Sequence, residues 1–234
     1  MDHMTPDQMK KAAAIEALKF VKPGMNIGLG TGSTANHFIE ALGAKVKEGL
    51  DIKGVPTSKA SKELAEKHGI PLTNLDAQPH LDLTVDGTDE FDAEFRLIKG
   101  GGGALLFEKI VASSSRIMVV IADESKKVKT LGKFPLPVEV MRFGAKATVW
   151  KMEYVFKILK VDAKMVLRVK EGKPFVTDSG HFIIDCSIGA IPEPERLDSL
   201  LKSVPGVVET GLFIGTCGIV LMGTPKGVKE FKRG

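Results

Sequence analysis

Cysteine is scarce in this sequence: only Cys186 and Cys217 occur, far apart and in no Cys-x-x-Cys pair. That excludes a disulfide framework or a zinc knuckle and suits a reducing compartment. One tryptophan and one tyrosine leave almost nothing on which bases could stack. No apolar run approaches the roughly 18 residues of a membrane-spanning helix. The N-terminal stretch Met1-Asp2-His3-Met4-Thr5-Pro6-Asp7 lacks the basic-then-apolar pattern of an export signal. Charge of one sign is missing too, since 33 basic against 29 acidic residues leave 33 − 29 = +4. The histidines at 37, 68, 80 and 181 are scattered and make no metal-ligand spacing. Neither a Gly-Lys-Ser/Thr phosphate loop nor a Gly-x-Ser-x-Gly elbow occurs. These absences predict a cytoplasmic globular protein with no nucleic-acid and no membrane partner.

What is present is enough for a core. A chain of 234 residues with 43% hydrophobic side chains can bury about 70% of its extended surface. Thr5-Pro6-Asp7-Gln8 reads as a capped helix start, with Pro6 at the first helical position and Gln8 closing a capping box. From Met25 onward, short apolar strands alternate with helices. Strands are expected near 25–29, 52–55, 81–85 and 117–122, and helices at 33–42, 58–68 and 104–112. That alternation predicts a Rossmann-like, mostly parallel α/β sheet covered by helices. After Pro135 the order becomes strand, helix, strand, strand, helix, strand, with strands at 138–140, 163–169, 175–177, 182–184 and 207–208 and helices at 147–159 and 194–201. That order predicts an inserted, smaller ferredoxin-like α+β domain at 136–205. The α/β domain would then comprise 1–135 and 206–234.

Four motifs sit where such sheets keep ligands, at strand ends or helix starts. Gly28-Leu29-Gly30-Thr31-Gly32-Ser33-Thr34 joins a strand to a helix. Its glycines admit an anion to the backbone, and the helix N-terminus offers free N–H groups and a positive dipole. A dinucleotide is the rival ligand, but it needs an acid at the end of the second strand, where Pro56-Thr57-Ser58 stands. Asp86-Gly87-Thr88-Asp89-Glu90 ends the third strand. Residues 76–94 hold seven acids and no Lys or Arg, and clustered carboxylates oppose one another's ionisation. A magnesium site has no further support. A phosphatase Asp-x-Asp-Gly-Thr motif fails because Thr84 stands where the nucleophile would be. Lys99-Gly100-Gly101-Gly102-Gly103 precedes a helix and offers bare N–H groups to an oxyanion. On that helix Glu108 has apolar neighbours a turn away on both sides, as a poorly solvated carbon-acid base needs. Lys109 has nearly as apolar a set, so periodicity alone does not choose. Asp123-Glu124-Ser125-Lys126 is the fourth, with Lys126 within possible reach of a phosphate.

In order and spacing, these four motifs closely resemble the type A ribose-5-phosphate isomerases along the whole chain. The resemblance implies interconversion of ribose 5-phosphate and ribulose 5-phosphate in the pentose phosphate pathway. It implies no metal or other cofactor, and a homodimer or dimer of dimers. It assigns Glu108 as the base moving the proton between C2 and C1. Asp86 and Lys99 would shuttle protons between the sugar oxygens and steady a cis-enediolate, and Asp89 would assist ring opening or position the sugar. Thr31, Gly32, Ser33, Thr34, Gly87, Thr88, Gly100, Gly101, Gly102 and Lys126 would complete the substrate contacts. A sugar-phosphate-sensing regulatory domain of the same fold and a nicotinamide-dependent oxidoreductase are the alternatives. The first would have no use for Glu108 and would need a DNA-binding helix-turn-helix, whereas the chain opens directly on the enzyme domain. The second lacks its ribose acid.

Overall fold

A computed structural model describes residues 4–234; the first three residues of the N-terminal stretch read above lie outside the described residues. In chain order the first half holds α1 (Pro6–Ala17), β1 (Asn26–Leu29), α2 (Ser33–Lys47), β2 (Lys53–Pro56), α3 (Lys59–Lys67) and β3 (Leu83–Asp86). Then come β4 (Glu90–Phe91), β5 (Leu97–Ile98), α4 (Leu105–Ser113), β6 (Met118–Asp123), β7 (Leu136–Val140) and α5 (Ala145–Ile158). The remainder is β8 (Lys164–Leu167), β9 (Val169–Lys170), β10 (Lys173–Pro174), β11 (Phe182–Ser187), α6 (Pro194–Lys202), β12 (Val207–Thr210), β13 (Leu212–Phe213), β14 (Cys217–Thr224) and β15 (Gly227–Lys232). The chain divides into two compact units, one of residues up to 88 with 107–127 and 215–234, the other of 89–106 with 128–214.

The first unit is built on a six-stranded sheet in the order β15-β14-β6-β3-β1-β2. All neighbours pair in parallel except β15, which folds back antiparallel on β14. Every residue of β3 and β6 is buried, as expected of central strands covered on both faces, and the unbroken apolar run Met118–Ala122 of β6 follows from that. The capping box of α1 is present, with Thr5 accepting from the Gln8 N–H and Gln8 reaching back to the Thr5 N–H. Ala13, Ala14 and Ala17 of α1 join Phe38, Ile39 and Leu42 of α2 and the inward side chains of β1, β3, β6 and β14 in one core. Strand order reverses at β1: β2 lies on one side, β3 and β6 on the other. This topological switch point, at the carboxyl ends of β1 and β3, is where open α/β sheets hold their ligands.

The second unit carries a four-stranded antiparallel sheet in the order β12-β7-β11-β8. With α5 after β7 and α6 after β11, this is the ferredoxin-like arrangement. Met152, Val155 and Phe156 of α5 and Leu197 and Leu201 of α6 pack with Val138, Val140, Ile184 and Cys186 of the sheet. Two features differ from the sequence expectation. Residues 175–177 form no strand; the short ribbon there pairs Lys173–Pro174 with Val169–Lys170, because Glu171-Gly172 makes a tight turn with both residues at positive φ. The unit is also wider than 136–205. A three-stranded sheet in the order β13-β5-β4 draws 89–106 and the segment after β12 into it.

Gly223 of β14 lies directly against the α1 backbone: a Cβ there would stand 2.1 Å from the Met9 carbonyl oxygen and 2.6 Å from its carbon. Helix backbone cannot yield as a side-chain tip can. Gly223→Ala is therefore expected to cost about 2–3 kcal/mol and to lower Tm by roughly 4–12 °C, read by thermal unfolding of the purified variant.

Candidate active site

The switch point of the first unit is organised around one carboxylate. Asp86, at the end of β3, is fully buried. Its Oδ1 accepts the N–H of Thr31 at 3.1 Å and of Gly87 at 2.7 Å. The Gly30 N–H donates to the Val85 carbonyl at 3.0 Å, which draws the glycine loop across the end of β3. A side chain at residue 30 would not fit, because its Cβ would lie 2.2 Å from Asp86 Oδ1 and 2.6 Å from Asp86 Cα. Gly32, at φ +106°, then turns the chain into α2 and leaves its N-terminus without a side-chain cap. The first N–H groups of α2 thus have no acceptor within the helix, and the dipole favours an anion there.

Thr31 itself works inward. Its hydroxyl meets Thr57 Oγ1 at 2.7 Å and Ser58 Oγ at 2.8 Å, and Thr57 donates on to the Leu29 carbonyl at 2.8 Å. Ser58 caps α3 and bonds Ser61. Thr57, Ser58 and Ser61 escaped the sequence reading, which treated Pro56-Thr57-Ser58 only as a missing acid. Lys10 also escaped it; from α1 its Nζ donates to Ser33 Oγ at 3.3 Å, bringing a cation to the α2 N-terminus. A lysine at that position is indistinguishable in sequence from its exposed neighbours.

The acidic stretch 76–94 separates into structural and site groups. Asp82 accepts the Asn26 N–H at 2.9 Å. Glu90 is buried and accepts the N–H groups of Gly132 and Phe134 at 2.8 and 2.6 Å. Asp92 holds Arg96 Nε at 2.7 Å and the Glu94 and Arg96 N–H groups. Asp76 and Glu94 are exposed. Asp86 and Asp89 are the two that meet glycine loops. Among the described residues, no group of three or more His, Cys, Asp or Glu is disposed to hold a metal ion.

Asp89 belongs to the second unit. Its Oδ2 accepts the Gly101 N–H at 2.8 Å, and its own N–H donates to the Ile98 carbonyl at 2.9 Å. Lys99 is 2% exposed, with its N–H on the Gly211 carbonyl at 2.9 Å. Its Nζ lies 5.6 Å from the centroid of the Phe213 ring, within cation–π range. The predicted residues therefore fall into two groups. Thr31, Gly32, Ser33, Thr34, Asp86, Gly87, Thr88, Glu108 and Lys126 belong to the first unit, and Asp89, Lys99, Gly100, Gly101 and Gly102 to the second.

Burial resolves the ambiguity on α4. Glu108 is 4% exposed, whereas Lys109 is half-buried and Phe107 and Ile110 face out. One turn on, Val111 packs where a Cβ on Gly28 of β1 would be, so α4 presses on the strand that feeds the glycine loop. Lys126 lies in the short 3-10 turn after β6, capped by Asp123. Neither cysteine can act as a nucleophile near neutrality: burial pushes the Cys217 thiol up to about 12 and the Cys186 thiol higher still.

A doubly wound sheet with a carboxylate and an uncapped helix N-terminus at its switch point defines an α/β enzyme of small anionic substrates. Comparison with known proteins narrows this. Residues 53–227 match the family described as ribose 5-phosphate isomerase A (phosphoriboisomerase A). Ribose-5-phosphate isomerase A of Parvibaculum lavamentivorans is 60% identical over 225 residues, covering 96% of this chain and 97% of that protein. A solved D-ribose-5-phosphate isomerase in complex with phospho-erythronic acid superposes with a TM-score of 0.92 at 43% identity, over 98% of this chain and 100% of that one. Ribose 5-phosphate isomerase A of Methanocaldococcus jannaschii gives 0.90 at 41%, over 98% and 100%. The chain belongs to the ribose 5-phosphate isomerase A family, and it is an aldose–ketose isomerase of the pentose phosphate pathway.

Gly30→Ala tests the packing at the switch point. Its Cβ must push Asp86 aside, and for the proton-handling role that the family resemblance implies for Asp86 a displacement of about 1 Å would cost roughly 10²-fold in rate. The variant is expected to fold with kcat for ribose 5-phosphate lowered by at least that factor. Unchanged kcat in a folded Gly30→Ala protein would remove Asp86 from the chemistry.

Proposed function

We propose that the chain interconverts ribose 5-phosphate and ribulose 5-phosphate through a cis-enediolate, with Glu108 removing the C2 proton and returning it to C1. The observation that carries this reading is the buried Asp86 carboxylate, fixed by two backbone N–H groups beside the uncapped N-terminus of α2. It pairs a proton-handling group with an anion seat, and an isomerase of sugar phosphates needs both. Ser33, Thr34 and the N–H groups of α2, with Lys10 and Lys126, bind the phosphate. Asp89 takes the O1 proton as the furanose opens and returns it to the ring oxygen when the bond from C1 to that oxygen breaks. Asp86 moves the proton between O2 and O1, and Lys99 with the Gly100–Gly102 N–H groups steadies the enediolate charge. Phospho-erythronic acid, bound by the relative 43% identical to this chain, supports the reading. It joins a phosphate to a planar carboxylate whose two oxygens mimic those of an enediolate.

Two further parts of the reading concern the setting. The chain works as a homodimer or dimer of dimers; the exposed stripe Trp150, Tyr154 and Ile158 on α5, with Phe143 nearby in sequence, supports association. It acts in the cytoplasm, which its two unpaired cysteines suit.

Glu108→Gln is expected to keep fold and substrate binding while the isomerisation rate falls about 10²–10⁴-fold, with tritium exchange from solvent into product falling in parallel. A near-normal rate would overturn the assignment of the base.

Affinity and rate should divide between the two glycine loops. The phosphate is remote from C1 and C2, so Ser33→Ala combined with Thr34→Ala is expected to raise KM for ribose 5-phosphate and leave activity on unphosphorylated ribose nearly unchanged. Lys99 meets charge that develops only in the transition state, so Lys99→Ala should lower kcat and kcat/KM together. Equal loss on both sugars in the loop variant would move the phosphate to the 99–103 glycines.

A further inference from the structure

A run of four glycines cannot hold its own shape. Without side chains it has maximal backbone freedom to lose, so N–H groups offered by Gly100–Gly103 are useful only if something outside the loop fixes the peptide planes. The structure has such a fixture in the second unit. Arg168, between β8 and β9, has its main chain tied down by an N–H donated to Ile183 at 2.8 Å and a carbonyl accepting from Phe175 at 2.9 Å. Its guanidinium forks onto Asp185 of β11, Nε to Oδ2 at 2.9 Å and Nη2 to Oδ1 at 2.6 Å. That fork leaves Nη1 aimed elsewhere, and it donates to the carbonyls of Gly100 at 2.8 Å and Gly101 at 3.2 Å.

In a trans peptide the C=O and N–H point to opposite sides. With both carbonyls drawn toward Arg168, the N–H groups of Gly101 and Gly102 face away from it. The Gly101 N–H meets Asp89 Oδ2 at 2.8 Å. One peptide unit thus links the guanidinium to the Asp89 carboxylate, and the next presents its N–H on the same side. Packing closes the arrangement: Phe175 fills the space a Cβ on Gly103 would need, 2.5 Å from its ring atoms, and Asp89 lies 2.7 Å from where a Cβ on Gly101 would be. The geometry points to Arg168, oriented by Asp185, as a positioning residue for the isomerisation: it sets the peptide planes of Gly100 and Gly101 and, through the Gly101 N–H, the carboxylate of Asp89. Lysine could not do this, because the task needs a planar fork that holds a carboxylate on one edge and two carbonyls on another.

The inference rests on the reading of Asp89 and the glycine loop as parts of the active site, and the test separates the two. Steady-state kinetics on ribose 5-phosphate are measured for Arg168→Met, Arg168→Lys, Asp185→Asn, Asp89→Asn and the Arg168→Met/Asp89→Asn double variant, with Tm beside each. Arg168→Met is expected to lower kcat roughly 10- to 100-fold, somewhat less than loss of a direct oxyanion donor, with KM changed by no more than about threefold. Arg168→Lys should recover little of it. Millimolar guanidinium should restore Arg168→Ala where equal sodium chloride does not. The double variant should lose less than the product of the two single losses, since Arg168 acts in part through Asp89; independent effects would multiply in full. Wild-type kcat in Asp89→Asn overturns the underlying site reading. An impaired Asp89→Asn beside Arg168→Met that loses only Tm, or a double variant whose losses multiply, overturns the role of Arg168 alone. Should Arg168→Met fail to fold, Asp185→Asn keeps the Arg168 guanidinium and removes the carboxylate that orients it; it is expected to lower kcat about three- to tenfold, and unchanged kcat there overturns the proposal.

Discussion

The arrangement of the first unit depends on one acceptor, Asp86 Oδ1. Two backbone N–H groups converge on it from different segments, one from the loop after β1 and one from the residue following Asp86 itself. That convergence is possible because the adjacent strands β1 and β3 end side by side, and because residue 30 has no side chain to hold the loop off. Everything downstream follows from the position this gives the loop. Gly32 can turn into α2 at positive φ, the α2 N-terminus opens at the switch point, and Ser33 comes within reach of Lys10. Asp86 thus has a structural task beside the chemical one proposed for it, and a side chain at residue 30 would disturb both.

The hydroxyl network behind the loop has a different office. Thr31, Thr57, Ser58 and Ser61 join the ends of β1 and β2 and the start of α3 through short side-chain hydrogen bonds, several of them buried. A buried hydroxyl without a partner would cost about 1–3 kcal/mol, so a closed network locks these three segments together instead of letting them drift. The loop is thereby held in one shape, and less ordering entropy would be lost on binding the anion of the proposed function.

The sequence made the repeating parts legible and hid the singular ones. The capping box of α1, the apolar run of β6, and the strand–helix order of the second unit are periodic or local signals, and each has its counterpart in the structure. Strands of two residues carry no period, so β4, β5 and β13 could not be read, and with them went the true reach of the second unit. Glu108 and Lys109 have nearly the same neighbours along the helix; only the packing of α4 tells the buried side chain from the half-buried one. Seven acids in one stretch looked like one cluster. Their separation into Asp82, Glu90 and Asp92 as backbone anchors, and Asp86 and Asp89 as loop partners, depends on contacts with residues up to 56 positions away. Lys10 and Arg168 were invisible for the same reason, since a basic residue on a helix or beside a strand has no local mark of what it reaches.

A common device emerges from the two glycine loops. Each is a run of small residues offering N–H groups, and each is held by a carboxylate from the same unit: Asp86 for the loop after β1, Asp89 for the loop after Lys99. The two acids are three residues apart in sequence but belong to different compact units and serve separate loops. In each loop the carboxylate takes one N–H and so fixes the orientation of that peptide, which would aim the loop's dipoles before charge develops on the substrate of the proposed function. Preorganised donors of this kind need no rearrangement in the transition state, and that is the source of their catalytic value. Beside the proton transfers proposed for them, the two acids thus serve to hold the backbone of their loops.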